Sequence, residues 1–214
     1  MQSFKIEGLF VGRAKEIGPN RFVTAIAKDP VVDKLIIKCD SLEGDESHNL
    51  KFHGGPDRVI HHYSLEQYEY LKSVFPQHKE LFVPGSYGEN ITTDKLTEKD
   101  LCIGDIFKLG SSTLQLTEGR KPCGTIDIKY GFKGVLKEIV RSGRYGWFYK
   151  VLEEGEASLS DELVFVDRPY PSFSLDKSIY EIFQNKKKDL KFLIELSNCP
   201  ALSSRWKERI LKLT

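Results

Sequence analysis

Residues 105–117 carry the clearest structural signal in the chain and read Asp105-Ile106-Phe107-Lys108-Leu109-Gly110-Ser111-Ser112-Thr113-Leu114-Gln115-Leu116-Thr117. Two β-rich runs of similar length flank the Gly110-Ser111-Ser112 segment, whose residue types favour a tight turn between antiparallel strands. The stretch therefore predicts a β-hairpin between Ile106 and Leu116.

The same rhythm extends in both directions and covers residues 4–169. Short segments rich in apolar and β-branched residues alternate with Gly, Pro, Asn and Asp, which is typical of a mainly β domain. The predicted strands cover residues 4–11, 22–27, 34–39, 59–63, 105–109, 113–117 and 162–166.

Two helices are predicted among the strands and three after them. The first begins after Ser64, with Gln67 in a capping-box position, and ends before Pro76. The second covers residues 135–141 and ends at Gly143, a common C-terminal cap. Beyond residue 169 the hydrophobic period changes from that of a strand to that of a helix, at 175–183, 189–196 and 203–213. We expect a β domain over residues 1–169 and a three-helix subdomain over 170–214.

The overall composition argues against several classes of protein. The 214 residues include 32 Lys and Arg and 31 Asp and Glu, a formal net charge of +1, which disfavours binding to nucleic acid or membranes through bulk charge. No apolar run approaches the about 20 residues of a membrane helix, and the start of the chain lacks a signal-peptide pattern. We therefore expect a cytoplasmic protein without a nucleic-acid or membrane partner.

The first candidate site is the basic stretch Lys51-Phe52-His53-Gly54-Gly55-Pro56-Asp57-Arg58. Paired glycines let the backbone approach a ligand and turn its N–H groups toward an anion, while Lys51, His53 and Arg58 add charge and hydrogen-bond donors. This pattern predicts an oxyanion or phosphate site. The alternative is an ordinary surface turn in which Asp57 and Arg58 form a structural ion pair.

The second candidate is Glu118-Gly119-Arg120-Lys121-Pro122-Cys123-Gly124-Thr125, which follows a predicted strand. Neighbouring cations favour the thiolate form of Cys123, which ligates metals or attacks electrophiles. Cys39, Cys102 and Cys199 lack such surroundings, and the absence of a CxxC pair predicts neither a zinc site nor a disulfide framework. A buried, inert Cys123 and a nucleophilic hydrolase with a histidine base both remain open.

A third stretch, Tyr87-Gly88-Glu89-Asn90-Ile91-Thr92-Thr93, has a glycine turn that leads into a strand with alternate polar groups. Glu89 and Asn90 are suited to hydrogen-bonding a polar heterocycle, although such residues also satisfy their own backbone. His61 and His62 occupy successive strand positions and must face opposite sides, so they are not a paired ligand set. One of them is a candidate for a pocket wall.

Several of these motifs occur in a characteristic order: Leu42-Glu43-Gly44-Asp45, the His53 to Arg58 stretch, Gly88 to Thr93, Gly104-Asp105 and Pro122-Cys123. With this order and these separations, the chain resembles the MOSC domain family over almost its whole length. The resemblance implies a MOSC-type β-barrel that precedes the three short helices. It also implies a molybdenum cofactor (molybdopterin) and Cys123 as the catalytic ligand of molybdenum.

For activity, the resemblance implies reduction of N-hydroxylated compounds, such as hydroxylaminopurine-like bases, by a homodimer that receives electrons from a separate flavoprotein reductase. The residues expected to bind the cofactor are Lys51, His53, Gly54, Gly55, Arg58, Glu89, Asn90 and Arg120. The alternative function is a sulfur carrier that holds a persulfide on Cys123 and delivers it to metal centres.

Overall fold

The computed structural model of the protein describes residues 2–18, 21–46 and 54–214. The strands within these ranges are β1 (Ser3–Val11), β2 (Lys15–Ile17), β3 (Phe22–Thr24), β4 (Asp29–Pro30), β5 (Leu35–Ile37), β6 (Ile60–His62), β7 (Ile91–Thr93), β8 (Ile106–Leu109), β9 (Ser112–Gly119), β10 (Trp147–Glu153), β11 (Gly155–Ala157) and β12 (Glu162–Asp167).

Seven of these strands close into a barrel. Their order around the ring is β1, β12, β8, β9, β10, β6 and β7, and β7 returns to β1. All neighbours are antiparallel except β6 and β7, which run parallel. Closure pairs strands that would otherwise present open edges to solvent. The mainly β barrel expected from the sequence is confirmed.

The predicted hairpin is formed by β8 and β9, which pair from Ile106 opposite Gln115 to Leu109 opposite Ser112. Gly110 begins the turn with a φ of 56°, and a Cβ there would lie 2.1 Å from the carbonyl oxygen of Glu156. Glycine is therefore required by both backbone conformation and space. This hairpin places the end of β9 at the entrance to the Cys123 loop.

Strand β10 is absent from the strands predicted from the sequence, yet it pairs with both β9 and β6. Trp147, Tyr149 and Val151 are buried and alternate with less buried residues, as the period of a strand requires. Its side chains build much of the barrel interior and one wall of the cleft described below.

The helices are α1 (Leu65–Val74), α2 (Thr125–Tyr130), α3 (Val135–Ser142), α4 (Leu175–Ile179), α5 (Leu190–Ser197) and α6 (Ser204–Leu211). A π-helical turn at Tyr180–Gln184 continues α4; single 3-10 turns cover Pro56–Arg58 and Glu98–Asp100, and two 3-10 turns joined by a kink at His78 cover Pro76–Leu81. Helix α2 lies outside the predicted helices. In the described ranges, no helix has both the length and the apolar character needed to cross a bilayer.

Of the two helix caps predicted from the sequence, the one at the end of α3 is confirmed and the one at the start of α1 is wrong. Gly143 ends α3 with a φ of 76°, and its N–H donates to the carbonyl of Ile139, as expected of a glycine cap. The capping box predicted at α1 is wrong, because Ser64 makes no capping hydrogen bond. Gln67 is buried and instead donates to the buried Glu98, whose carboxylate needs donors more than a solvated helix end does.

The three helices after the barrel occur where the sequence places them, and their apolar side chains belong to the same core as the barrel. The contact is close at Gly119 in β9, where an added Cβ would lie 2.9 Å from Ile179 and 3.3 Å from Trp206. These helices, residues 175–211, are called the tail below. The division into two domains at residue 170 stays a prediction.

His62 lies inside the barrel, hydrogen-bonded to the Tyr149 hydroxyl at 3.1 Å and the Thr93 hydroxyl at 2.9 Å, with its ring 4.4 Å from that of Trp147. Burial lowers the pKa of His62 from 6.5 to about 3. The imidazole is therefore neutral at neutral pH, and protonating it would leave a charge in an apolar interior.

This burial predicts a pH dependence of stability that His62→Gln removes. Between the folded pKa of about 3 and the unfolded value of about 6.5, the unfolded chain binds a proton that the folded chain does not. The free energy of unfolding should therefore fall with decreasing pH by about 1.4 kcal/mol per pH unit from this group alone.

The measurement is urea unfolding of wild type and His62→Gln over this window. His61 and the buried carboxyl groups of Glu89, Glu98 and Glu118 titrate in both proteins, so the difference between the two slopes isolates His62. Equal slopes would show that His62 takes up its proton in the folded state.

Candidate functional site

A cleft beside β6 and β10 brings together five of the residues predicted to form the site, namely Gly54, Arg58, Asn90, Arg120 and Cys123. The empty space within it, including open solvent at its mouth, is about 690 Å³. Lys51 and His53 lie outside the described residues. The cleft therefore brings together described residues from all three candidate stretches.

Cys123 lies half-buried in the cleft wall, on the loop between β9 and α2. The loop is fixed at both ends, because the N–H of Arg120 donates to the Gly146 carbonyl at 2.9 Å and the Cys123 carbonyl accepts from the N–H of Ile126 at 3.2 Å. Its thiol is thus presented to a ligand from a defined position.

The other three cysteines are elsewhere. Burial raises the pKa of the Cys102 and Cys199 thiols, and Cys39 is exposed with its pKa raised by the neighbouring Glu154. None of the three lines the cleft. Of the four thiols, only that of Cys123 meets the geometric requirement for a ligand in this cleft.

The Arg120 guanidinium lies across the ring of Tyr87 at 4.3 Å, and its Nη1 donates to the Tyr87 carbonyl at 2.6 Å. The same nitrogen lies 3.4 Å from Nδ1 of His61. Within the described part of the chain, no carboxylate pairs with Arg120. Donors of this guanidinium thus remain for a ligand in the cleft.

Arg58 also lines the cleft, and contacts with Glu118 and Phe148 hold its side chain in place. Its Nε lies 2.9 Å from Oε1 of Glu118 in a buried ion pair, and its guanidinium is 4.2 Å from the centre of the Phe148 ring. Burial lowers the pKa of Arg58, an effect that Glu118 opposes. The Asp57–Arg58 ion pair considered from the sequence is therefore wrong: Arg58 pairs with Glu118, and Asp57 accepts hydrogen bonds from Ser204.

Glu89 and Asn90 are used differently from the prediction. Glu89 is completely buried and does not line the cleft; its Oε1 accepts from the Tyr68 hydroxyl, the Gly85 N–H and the Thr92 hydroxyl at 2.6–2.7 Å. Burial raises its pKa. The carboxyl group of Glu89 thus links α1, the turn at Gly85 and β7, and it stabilises the elements next to the cleft. It is not placed to contact a ligand there.

Asn90 does line the cleft, but its side chain joins two barrel strands. Its Oδ1 accepts from the His61 N–H at 3.0 Å, and its Nδ2 donates to the Phe10 carbonyl at 3.1 Å. These bonds occupy one donor and one acceptor site of an amide that has four. Asn90 keeps limited capacity for a ligand while fixing β6 beside β1.

His61 is the member of the histidine pair that faces the cleft. Its Nδ1 lies 3.2 Å from the Gly88 carbonyl, and its ring is 5.0 Å from that of Phe148. Burial lowers the pKa of His61 well below its ordinary value, and Arg120 lowers it further. The ring is therefore a neutral part of the wall.

Lys28 and Asp45 are cleft residues that the sequence reasoning did not select as site residues. Their side chains form an ion pair and are 7% and 13% exposed. Oδ1 of Asp45 also accepts from the Gly12 N–H at 2.8 Å, and an added Cβ on Gly12 would press against Lys28. Desolvation lowers the pKa of Lys28, and Asp45 opposes that shift. Lys28 has no local sequence signal; Asp45 belongs to the Leu42 to Asp45 motif.

The Lys28–Asp45 pair predicts a double-mutant result. Asp45→Asn keeps the hydrogen bond from Gly12 but leaves the buried Lys28 without its counter-charge, which should lower the free energy of unfolding by about 3–5 kcal/mol. Adding Lys28→Met removes the stranded charge and should restore part of that loss. Denaturant unfolding of the single and double variants measures both effects. A double variant less stable than Asp45→Asn would contradict the interpretation.

Comparison with known proteins identifies relatives of this chain. Protein YiiM of Escherichia coli (strain K12) is 39% identical over 145 residues, which cover 68% of this chain and 65% of that protein. A protein named Reductase from Gibberella moniliformis is 33% identical over 178 residues, which cover 83% of this chain and 31% of that protein. The matched regions thus span less than two thirds of either relative.

The fold comparison covers nearly the whole chain. The crystal structure of YiiM from Escherichia coli matches 99% of this chain and 92% of its own with a TM-score of 0.82 and 26% identity. The MOSC domain model matches residues 49–164, which include the Gly54 to Arg58 turn, Asn90, Arg120 and Cys123. Because that match covers more than half of the sequence, the chain belongs to the MOSC domain family.

Proposed function

We propose that the protein is a molybdenum-cofactor-dependent reductase of N-hydroxylated compounds, with Cys123 as the protein ligand of molybdenum. The observation that carries the proposal is the half-buried Cys123 thiol in a cleft that Arg120 and Gly54 also line; Gly55, the second glycine of the turn, is next to Gly54 but is not among the lining residues. Membership of the MOSC family, and similarity to a protein named Reductase, support a redox role.

The metal-ligating side chains of the described residues suit a metal that is already bound to an organic cofactor. Among the described residues, no group of three or more His, Cys, Asp or Glu side chains is arranged to hold a metal ion. A metal at Cys123 therefore needs most of its coordination from elsewhere, as molybdenum bound to a pterin dithiolene has. A thiolate is a suitable additional ligand for such a sulfur-rich centre.

The basic turn fits the anionic end of the cofactor. Gly54 and Gly55 have φ values of 80° and 95°, a backbone conformation that other residues rarely adopt. A Cβ on Gly55 would meet no atom of the described residues within 4 Å, so none of them blocks the approach of a ligand to the backbone there. Arg120 supplies a planar set of donors that can bind a phosphate through two hydrogen bonds. We assign Lys51, His53 and Arg58 to the same anionic group.

When bound, the cofactor supplies two-electron redox chemistry at molybdenum. The overall conversion of a hydroxylamino group to an amino group consumes two electrons and two protons and releases water. The protein's residues position the reactants: Cys123 anchors the metal, Arg120 holds the anionic end, and the His61 and Phe148 rings form an uncharged wall. The electrons come from a separate flavoprotein reductase, the substrates are hydroxylaminopurine-like bases, and the protein acts as a homodimer.

The proposal predicts that Cys123→Ala abolishes reduction of an N-hydroxylated base while leaving the fold intact, because the metal loses the thiolate ligand proposed for it. Turnover with a dithionite-reduced dye and circular dichroism measure the two effects. Cys199→Ala is the matched control: it should keep the activity and lose only about 1–3 kcal/mol of stability, since its thiol is buried and does not line the cleft. Turnover near wild type in folded Cys123→Ala would remove Cys123 from the mechanism.

The assignment of Arg120 predicts cofactor loss in Arg120→Met. A charge-assisted contact contributes roughly 1.5–3 kcal/mol, so cofactor affinity should fall by about tenfold or more. Because no described carboxylate pairs with Arg120, the substitution leaves no stranded buried charge. Molybdopterin released from the purified variants measures occupancy. Lys121→Met is the control, since Lys121 is exposed next to Arg120; equal losses in both variants would contradict the assignment.

A further inference from the structure

The first turn of α6 contacts the back of the cleft's basic turn. The N–H and hydroxyl of Ser204 both donate to Oδ2 of Asp57, each at 2.9 Å. The hydroxyl of Ser203 donates to Oε2 of Glu118, and the N–H of Ser203 donates to the Thr117 carbonyl at 3.2 Å. Two adjacent serines of the tail therefore hold two acidic residues of the barrel domain.

Both acidic residues are direct neighbours of Arg58, Asp57 in the sequence and Glu118 in space. Asp57 precedes it in the 3-10 turn, and the Asp57 carbonyl accepts from the Thr117 hydroxyl at 2.6 Å. Glu118 pairs with Nε of Arg58 through the carboxylate oxygen that Ser203 does not use. The network thus fixes the backbone of the turn through Asp57 and the side chain of Arg58 through Glu118.

Burial makes this network sensitive to each donor. Glu118 is 1% exposed and Ser203 is 0% exposed. A buried carboxylate remains ionised only where donors or an opposite charge compensate for lost solvent; here the Ser203 hydroxyl donates a hydrogen bond and the Arg58 guanidinium supplies the opposite charge. Removing the serine leaves Oε2 of Glu118 without that donor, so the ionised form of Glu118 becomes less stable. The attraction between Glu118 and Arg58, which holds Arg58 against the Phe148 ring, is then weaker. The position of Arg58 thereby depends on the tail.

We propose that the first turn of α6 positions the cleft, with Ser203 and Ser204 setting the orientation in which Arg58 meets an anionic ligand. The inference rests on the proposed function, because the anion it concerns is the anionic end of the cofactor. Ser203 and Ser204 are positioning residues that act through Glu118 and Asp57. The tail is then part of the site, not an appendage attached for stability.

The test is the double variant Ser203→Ala/Ser204→Ala in the full chain. We expect cofactor affinity to fall by about tenfold, as for loss of a contact to the anion, and the purified variant to carry less cofactor than wild type. In the cofactor-free protein, hydrogen exchange should accelerate by about tenfold at Arg58 and Val59, whose N–H groups donate to Gly55 and Tyr149. Mass spectrometry of peptides covering residues 56–62 measures this exchange.

The matched control is Asp189→Ala, which removes a helix cap from the same tail. Asp189 accepts from the Phe192 N–H at 3.0 Å at the start of α5 and makes none of the contacts described for Asp57 or Glu118. It should lower the melting temperature without changing occupancy or exchange at residues 56–62. Ser203→Thr, which keeps the hydroxyl, should retain wild-type occupancy when combined with an intact Ser204.

Two results would overturn the inference: unchanged exchange at residues 56–62 in the double variant, or the same changes in Asp189→Ala. The exchange measurement uses cofactor-free protein, so it distinguishes this inference from the proposed function. Wild-type protein that takes up no cofactor would defeat the proposed function. Faster exchange around Arg58 in the double variant alone would still support positioning by the tail.

Discussion

The buried ion pair between Arg58 and Glu118 is the interaction on which the arrangement of the site depends. It joins the basic turn before β6 to the end of β9, and the Ser203 hydroxyl extends it into the tail. A buried pair of this kind contributes little net stability, because desolvation offsets the attraction, but it fixes geometry strongly. Its value to the protein is that it holds a cation at the cleft wall in one orientation.

Much of the fold could be predicted because its signals are local. The hairpin of β8 and β9 has a turn with suitable residues between two strands, and Gly143 ends α3 as a glycine cap does. Strand β10 was harder to predict because Gly146 and the mixed residues of Trp147–Glu153 lack a clean alternation of polar and apolar types. The capping box at Ser64 failed because Gln67 has a stronger tertiary role with Glu98.

The site was predictable where its residues are contiguous in sequence. Cys123 and Arg120 share one loop, and a thiol near a cation on a turn is recognisable without a structure. Lys28 and Phe148 come from other segments, and only the closing of the barrel brings them to the cleft. Glu89 has a side chain that could hydrogen-bond a ligand, but it is buried outside the cleft. Its position depends on packing around Tyr68, which the sequence does not show.

We propose that this cleft holds a molybdenum cofactor through Cys123. The most direct test is to purify the wild-type chain from a host with intact molybdopterin synthesis and to quantify molybdenum, released pterin and cysteine persulfide in the same sample. The account predicts molybdenum and pterin in equal amounts, approaching the amount of protein. Protein that contains neither molybdenum nor pterin, but carries a persulfide on Cys123, would contradict it and identify a sulfur carrier instead.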